Sequence, residues 1–177
     1  MGAICPSCRR YEGPLAGIRT ACTYEGVARK AIHGLKYRHR QALAGPLADL
    51  LETELRRRPL QIDLLTPVPL HPSRLASRGY NQSELLAREL GARLGIPTGS
   101  CLVRTRETRA QAGLNAGARR SNVRGAFEFT GDTPVYGLRV GIVDDVCTTC
   151  STLEDCARAL QRAGCATIWG IAVARDL

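Results

Sequence analysis

The chain has 177 residues, of which 44% are hydrophobic and 23% charged, a composition that excludes a disordered chain and suits one folded domain. No apolar stretch reaches the ~20 residues of a membrane span, and no charged segment leads into an apolar signal region, so we expect a cytoplasmic protein without membrane insertion. The formal net charge of +9 is carried almost wholly by arginine, which favours phosphate, pyrophosphate or nucleic acid as partners.

Residues 1–14 are predicted to form a segment separate from the domain at 15–177. Cys5 and Cys8 have the C-x-x-C spacing of half a zinc site. A structural zinc needs four ligands, and no second pair follows nearby in the sequence. We interpret the segment as the remnant of a zinc ribbon, with zinc binding by these two thiols as the alternative.

Strands and helices alternate along the rest of the chain. Alternation and short apolar runs predict strands over 17–24, 61–65, 139–143 and 167–173, and helical periodicity predicts helices over 27–37, 42–57, 83–94 and 152–162. Ser151 is the expected N-cap of the last helix, with Glu154 completing a capping box. The basic stretch 104–125 is expected to be a mobile loop. This order predicts an α/β fold with a mostly parallel sheet and helices on both faces.

The strongest functional signal lies between residues 138 and 153. An apolar run ends in Asp144 and Asp145, and a hydroxyl-rich turn then leads into a helix. Backbone N–H groups at a helix start bind phosphate, because the helix N-terminus carries a partial positive charge. The carboxylates lie at the carboxyl end of a strand, where they can accept hydrogen bonds from sugar hydroxyls. We therefore predict a ribose 5-phosphate site. Its phosphate-binding residues are Val146, Thr148, Thr149, Cys150, Ser151 and Thr152.

The same stretch resembles the phosphoribosyl pyrophosphate (PRPP) loop of type I phosphoribosyltransferases, in which two acidic residues precede Thr-Thr-Gly-x-Thr. Cys150 stands at the glycine position. If the backbone needs a positive φ there, a Cβ costs about 1 kcal/mol, which weakens the expectation of a tight phosphate cradle. Cys147 and Cys150 also have C-x-x-C spacing, so a thiol redox site is a further hypothesis. We rank it low, because such pairs arise by chance in a chain with eight cysteines.

Basic segments elsewhere are predicted to contact a pyrophosphate. A proline-stiffened loop carries Arg74 and Arg78, whose guanidinium groups suit bidentate bonds to pyrophosphate. Lys36, one of only two lysines, is assigned to the same group. The stretch 104–120 is expected to close over the substrate as a lid or, equally, to lie along a nucleic-acid backbone. Its candidate residues are Arg104, Arg106, Arg109 and Gln111.

Four sequence motifs occur in a characteristic order. They are Tyr-Glu-Gly with His-x-x-Lys-Tyr, Pro-Val-Pro-Leu with Arg-Gly-Tyr-Asn-Gln, Thr-Arg-Ala-Gln-Ala-Gly-Leu with Arg-Arg-x-Asn-Val-Arg-Gly-Ala-Phe, and Val-Asp-Asp-Val-x-Thr-Thr. Together they resemble the ComF family of competence-associated, phosphoribosyltransferase-like proteins, over roughly residues 20–175. The resemblance implies a type I phosphoribosyltransferase fold with a small hood. It also implies, for some members, a link to the uptake of single-stranded DNA.

Two functional hypotheses follow. The first is a protein that binds PRPP or ribose 5-phosphate with Mg²⁺, the ion being held largely by pyrophosphate and water. If this protein is an enzyme, it is a phosphoribosyltransferase in which Asp144 and Asp145 are the catalytic residues. The alternative is a non-catalytic protein on the same fold that binds single-stranded DNA or a competence helicase. The acceptor of the ribose is not predicted.

Overall fold

The structure is a computed structural model that describes residues 13–106 and 125–176. The central sheet has four strands: β1 (Gly17–Thr23), β2 (Leu64–Pro67), β5 (Arg139–Cys147) and β6 (Thr167–Arg175). Its spatial order is β1-β6-β5-β2, and every pair is parallel. The strands β3 (Leu102–Arg104) and β4 (Phe127–Phe129) form a small antiparallel pair. The predicted α/β class with a parallel sheet is confirmed.

Helices cover both faces of the sheet. They are α1 (Gly26–Tyr37), α2 (Ala44–Arg57), α3 (Pro72–Arg78), α4 (Gln82–Leu94) and α5 (Ser151–Arg162), with a 3₁₀ turn at Gln41–Leu43. Side chains of α1, α2 and α4 pack with Val143 in one apolar cluster, whereas α5 and β4 pack with Val140 and Ile142 in another. Alternate residues of β5 therefore serve two cores, since successive side chains of a strand point to opposite faces.

Two strands near the site differ from the prediction. The strand expected at 139–143 continues to Cys147, because β6 extends beyond the predicted 167–173 and pairs with β5 as far as Cys147 and Arg175. Asp144 and Asp145 are consequently strand residues. The strand predicted at 61–65 lies instead at Leu64–Pro67, where it pairs with residues 140–143 of β5.

The helix start after β5 also differs from the prediction. The N-cap of α5 is Cys150, and no side chain caps the helix by a hydrogen bond. The predicted capping box of Ser151 and Glu154 is therefore wrong, because Ser151 is already the first helical residue.

The proline-stiffened loop contains a helix that the sequence analysis did not predict. Helix α3 begins with Pro72, a residue suited to the first helical position. The His71 side chain accepts a hydrogen bond from the backbone N–H of Ser73, and Gly79, with φ of 78°, ends the helix.

The expected loop at 104–125 is bounded by structure at both ends. Arg104 closes β3 and is buried, so it is a strand residue rather than part of a mobile loop. On the other side, the Asp155 carboxylate of α5 accepts hydrogen bonds from the backbone N–H groups of Gly125 and Ala126, each at 2.9 Å. The intervening residues 107–124 lie outside the described part of the chain.

Candidate functional site

A cleft of about 300 Å³ opens where the four parallel strands end. Tyr24 follows β1, Val68 follows β2, Asp176 follows β6, and the last residues of β5 form its floor. The carboxyl ends of parallel strands are where open α/β sheets bind ligands. Predicted site residues that line it are Lys36, Arg74, Arg78, Arg104, Asp144, Asp145, Val146, Thr148 and Thr152.

The acidic pair is buried and held by specific partners. Asp144 is 9% exposed and Asp145 2%. The Ser83 hydroxyl, in the first turn of α4, donates to Oδ1 of Asp144 at 3.1 Å. The Lys36 ammonium, in the last turn of α1, lies 2.8 Å from Oδ2 of Asp145. Side chains from two helices thus fix the carboxyl groups of two adjacent strand residues.

Burial and mutual repulsion govern the charge of this pair. Burial, followed by the charge of Asp145, raises the pKa of Asp144 to about 7, although Lys36 opposes the shift. Burial alone would lower the pKa of Lys36, but the charges of Asp145 and Asp144 outweigh it and raise that pKa. Lys36 is therefore charged at neutral pH, and Asp144 changes its charge near pH 7.

The turn between β5 and α5 has a left-handed backbone conformation at Cys150, the position that is glycine in the PRPP loop. Cys150 has φ of 61° and ψ of 4°, in the left-handed region. The predicted condition for strain at the glycine position is thus met. Thr148 and Thr152 face the cleft, and the Thr149 and Ser151 hydroxyl oxygens lie 2.8 Å apart. Cys147 and Cys150 are joined as a disulfide.

Basic side chains also line the cleft. Arg74 and Arg78 project from α3, and the Arg78 guanidinium donates to Oε1 of Gln82 and lies 5.3 Å from the centre of the Tyr37 ring. Arg104 enters from β3, with its guanidinium carbon 5.3 Å from the centre of the Phe127 ring. Positive groups from two separate elements therefore converge on one site.

Lys36 and the predicted lid residues differ in their positions relative to the cleft. Lys36, assigned to pyrophosphate, lines the cleft and is ion-paired with Asp145. Arg106 is exposed and does not line the cleft. Arg109 and Gln111 lie outside the described residues, as do Cys5 and Cys8.

Sequence reasoning missed Ser83 as a site residue, because its partner Asp144 is distant in the sequence. Its hydroxyl contacts Asp144 across 61 positions of the chain. Asn81 is the actual cap, accepting a hydrogen bond from the backbone N–H of Ser83. A serine two residues after a capping asparagine, at the start of a helix, was the available signal.

The donor set around the acidic pair suits a hard cation only in part. Carboxylate oxygens are ligands that Mg²⁺ accepts, but the Lys36 ammonium already lies beside Asp145. Within residues 13–106 and 125–176 no group of three or more His, Cys, Asp or Glu side chains is arranged to hold a metal. These residues therefore fit Mg²⁺ that is carried mainly by a phosphorylated ligand and water. None of the described helices is long and apolar enough to cross a membrane.

Solved structures identify the class of fold. Glutamine PRPP amidotransferase from B. subtilis is similar at a TM-score of 0.53 and 20% identity, covering 78% of this chain and 30% of that chain. A structure titled as the allosteric regulatory enzyme of purine biosynthesis has a TM-score of 0.54 at 20% identity, covering 79% and 29%. Together with the parallel sheet, these likenesses define a type I phosphoribosyltransferase fold.

Curated relatives identify the family. The DNA utilization protein YhgH of Escherichia coli K12 and that of Salmonella typhimurium are each 36% identical over 170 residues, covering 93% of this chain and 74% of the relative. Competence protein F of Haemophilus influenzae is 37% identical over 150 residues, covering 80% and 66%. No protein-family model matches. The chain belongs to the ComF family, and the predicted resemblance is confirmed.

Proposed function

We propose that the protein binds ribose 5-phosphate, or PRPP with Mg²⁺, in the cleft at the carboxyl ends of its strands. The observation that carries the proposal is the placement of two buried carboxyl groups beside a hydroxyl-lined turn that starts a helix. Sugar hydroxyls donate to carboxylates, and a phosphate is stabilised at a helix N-terminus. The structural neighbours are a PRPP amidotransferase and an enzyme of purine biosynthesis, which agrees with this ligand class.

The ribose is assigned to the acidic pair. Asp144 and Asp145 would accept hydrogen bonds from two ring hydroxyls, with Ser83 orienting the first carboxyl group and Lys36 the second. The positive charge of Lys36 also offsets two repulsions, one between the adjacent carboxylates and one between these carboxylates and the ligand's phosphate. The cleft therefore presents sugar acceptors without presenting an uncompensated negative charge.

The phosphate groups are assigned to the two ends of the cleft. The turn that includes Thr148 and Thr152 would hold the 5-phosphate at the start of α5. Arg74, Arg78 and Arg104 would face the pyrophosphate, where guanidinium groups form charge-assisted bonds. Mg²⁺, when bound, would neutralise part of the pyrophosphate charge.

The reaction that such a site supports is transfer of a phosphoribosyl group. The bond between C1 of the ribose and pyrophosphate breaks, positive charge develops on the ring, and an acceptor forms the new bond at C1. In this binding mode the Asp144 and Asp145 carboxylates would lie near the developing positive charge and the arginines near the leaving pyrophosphate. Both groups would then stabilise the transition state electrostatically.

Calorimetric titration of PRPP with Mg²⁺ tests this proposal. We expect micromolar binding by the wild-type protein and at least a tenfold loss in the Asp144→Asn/Asp145→Asn variant, because neutral amides are weaker acceptors for sugar hydroxyls. Asp63→Asn is the matched control: Asp63 pairs with Arg139 at the opposite end of β5. Thermal melts verify that each variant is folded. Equal binding by the wild type and the double variant would refute the site.

A second candidate function, binding of single-stranded DNA, is favoured by the outer surface of α1. A depression of about 410 Å³ there is lined by Arg29, Lys30, His33 and Arg38. Tyr37, which is 62% exposed, lies 4.8 Å from the His33 ring, so an aromatic face adjoins the basic groups. The relatives' names refer to DNA utilization and competence.

Fluorescence anisotropy with a labelled oligonucleotide tests the second function. We expect affinity to fall steeply with salt and to weaken in an Arg29→Gln/Arg38→Gln variant, while Asp144→Asn/Asp145→Asn leaves it unchanged. Salt-independent binding, or loss only in the acidic-pair variant, would contradict this assignment. A competence helicase as partner remains the alternative ligand of the same basic surface.

A further inference from the structure

The turn between β5 and α5 carries one cysteine at each end. Cys147 is the last residue of β5, and Cys150 is the N-cap of α5. Their Cα atoms lie 5.2 Å apart, inside the roughly 4.4–6.8 Å range of disulfides, and the structure joins the two sulfurs. The two residues between them belong to the proposed phosphate-binding turn.

The bridge lies behind the turn rather than in the cleft. Cys147 is buried in the apolar cluster that contains Leu153, and Cys150 packs against that cluster. The described residues that line the cleft include Thr148 and Thr152 but neither cysteine. Oxidation of this pair therefore leaves the phosphate-facing side of the turn open.

The bridge also bears on the backbone strain at Cys150. Glycine adopts φ near 60° at no steric cost, whereas a residue with a Cβ is disfavoured there. A cross-link between the two ends of the turn removes many of the alternative conformations that a strained, reduced turn would populate. The bridge thus restrains the backbone of the turn in a chain that has Cys150 where the PRPP loop has glycine.

We propose that Cys147 and Cys150 form a thiol–disulfide switch whose oxidised state holds the turn in its phosphate-binding conformation. Reduction releases the turn and weakens phosphate binding. This inference rests on the proposed ribose-phosphate function, and it names a regulation of that same site.

The switch needs an oxidant, which we assign to a low-molecular-weight disulfide such as glutathione disulfide. The partly exposed Cys150 thiolate attacks one sulfur of that disulfide and expels one glutathione thiolate. The Cys147 thiolate then attacks the Cys150 sulfur, forms the bridge and expels the second glutathione. Two protein thiols are oxidised, one disulfide is reduced, and the two released protons go to the two glutathione thiolates.

Burial also affects the four other cysteines that the structure describes. Burial raises the thiol pKa of Cys22 and Cys101, and raises that of Cys156 well above its usual range. Burial also raises the pKa of Cys165, at the far end of α5, to about 11. A raised pKa reduces the thiolate fraction of these four thiols, and the structure leaves all four unbridged, whereas Cys147 and Cys150 lie close enough to form a bridge.

The test equilibrates the full chain at defined ratios of oxidised to reduced glutathione. Differential alkylation and peptide mass mapping count the 147–150 bridge, and calorimetry with ribose 5-phosphate gives the affinity of each form. We expect about fivefold tighter binding by the oxidised form, and no redox dependence in Cys147→Ala or Cys150→Gly. Cys165→Ala is the matched control and should respond like the wild type.

Each result is decisive. Failure of the bridge to form overturns the switch. A bridge that forms without changing the affinity also overturns it, and leaves the proposed function intact. A bridge that forms while neither state binds ribose 5-phosphate overturns the proposed function and the regulation together. Tighter binding by the reduced form reverses the mechanism and refutes it.

Discussion

Replacement of Lys36 by methionine gives the clearest test of the buried charge arrangement. The substitution keeps most of the aliphatic volume but removes the ammonium group that lies 2.8 Å from Asp145. The Lys36 side chain is 21% exposed and that of Asp145 only 3%, so the carboxylate that remains cannot be solvated by water in compensation. We expect the folded state to be destabilised.

The size of the effect follows from two limits. Removing one partner of a fully buried ion pair costs about 3–5 kcal/mol, and partial exposure of Lys36 lowers this to roughly 2–3 kcal/mol. The carboxylate left without its partner can also take up a proton, so the loss in the free energy of unfolding cannot exceed the cost of that protonation. This cost is about 4 kcal/mol at pH 7, and it falls by about 1.4 kcal/mol for each pH unit below 7. For a chain of this size we expect the melting temperature to fall by roughly 5–10 °C at pH 7.

The sign of the pH dependence is fixed by the same reasoning. Lys36 lowers the pKa of Asp144 in the wild type, so the folded variant without this ammonium group binds more protons between pH 6 and 8 than the folded wild type does. The carboxyl groups of the two unfolded chains titrate alike, so the variant's deficit in the free energy of unfolding must grow as the pH rises. Denaturant titrations of the wild type, Lys36→Met and Lys30→Met at both pH values measure it; Lys30 is the exposed lysine of the same helix. Equal losses in the two variants, or a deficit that shrinks with rising pH, would refute the reasoning.

Three further predictions concern the turn, the anchored segment and the titrating carboxyl group. Under reducing conditions Cys150→Gly should raise the free energy of unfolding by about 1 kcal/mol, because glycine adopts the left-handed conformation freely; thermal melts measure it. Asp155→Ala should lower that free energy by roughly 2–3 kcal/mol, since two backbone N–H groups lose their acceptor; denaturant titration measures it. Binding of ribose 5-phosphate should strengthen as the pH rises through about 7, where Asp144 ionises and becomes a stronger acceptor; calorimetry across this range measures it.

Each of these predictions has a matched control. Cys150→Ala keeps the Cβ, so a gain equal to that of glycine would contradict the strain argument. Glu154→Ala removes only a partly exposed ion pair with Arg158, and a loss as large as that of Asp155→Ala would show that the two backbone contacts are unimportant. Asp144→Asn should leave only the ligand phosphate's own titration near pH 6, so an unaltered profile would rule out Asp144 as the titrating group.

The fold and the centre of the site could be predicted because their signals are local. The apolar run into Asp144 and Asp145, followed by hydroxyl residues and a helix, is contiguous in the sequence, and its placement at the carboxyl end of a parallel strand follows from the α/β pattern. The predicted strand ended at residue 143, four residues too early. Strand β5 continues through Asp144 and Asp145 because its backbone pairs with β6 as far as Cys147. Two charged residues end the apolar run, so hydropathy alone does not predict that the pairing with β6 continues beyond them.

The partners of the acidic pair could not be predicted, because they depend on long-range packing. Ser83 and Lys36 reach adjacent residues of β5 from α4 and α1, across 61 positions in the case of Ser83 and Asp144. Lys36 was assigned to pyrophosphate as one of only two lysines, and its ion pair with Asp145 depends on the packing of α1, which the sequence pattern does not show. The position of Arg104 likewise depended on the pairing of β3 with β4.

The most direct test of the ribose-phosphate site is an amide NMR titration of the isotope-labelled protein with ribose 5-phosphate. We predict saturable shifts concentrated at residues 148–152 and 144–146, and much smaller ones with ribose alone, because the phosphate contributes the contact with the start of α5. Shifts confined to the basic surface of α1, or no shifts at all, would contradict a ribose-phosphate site in this cleft.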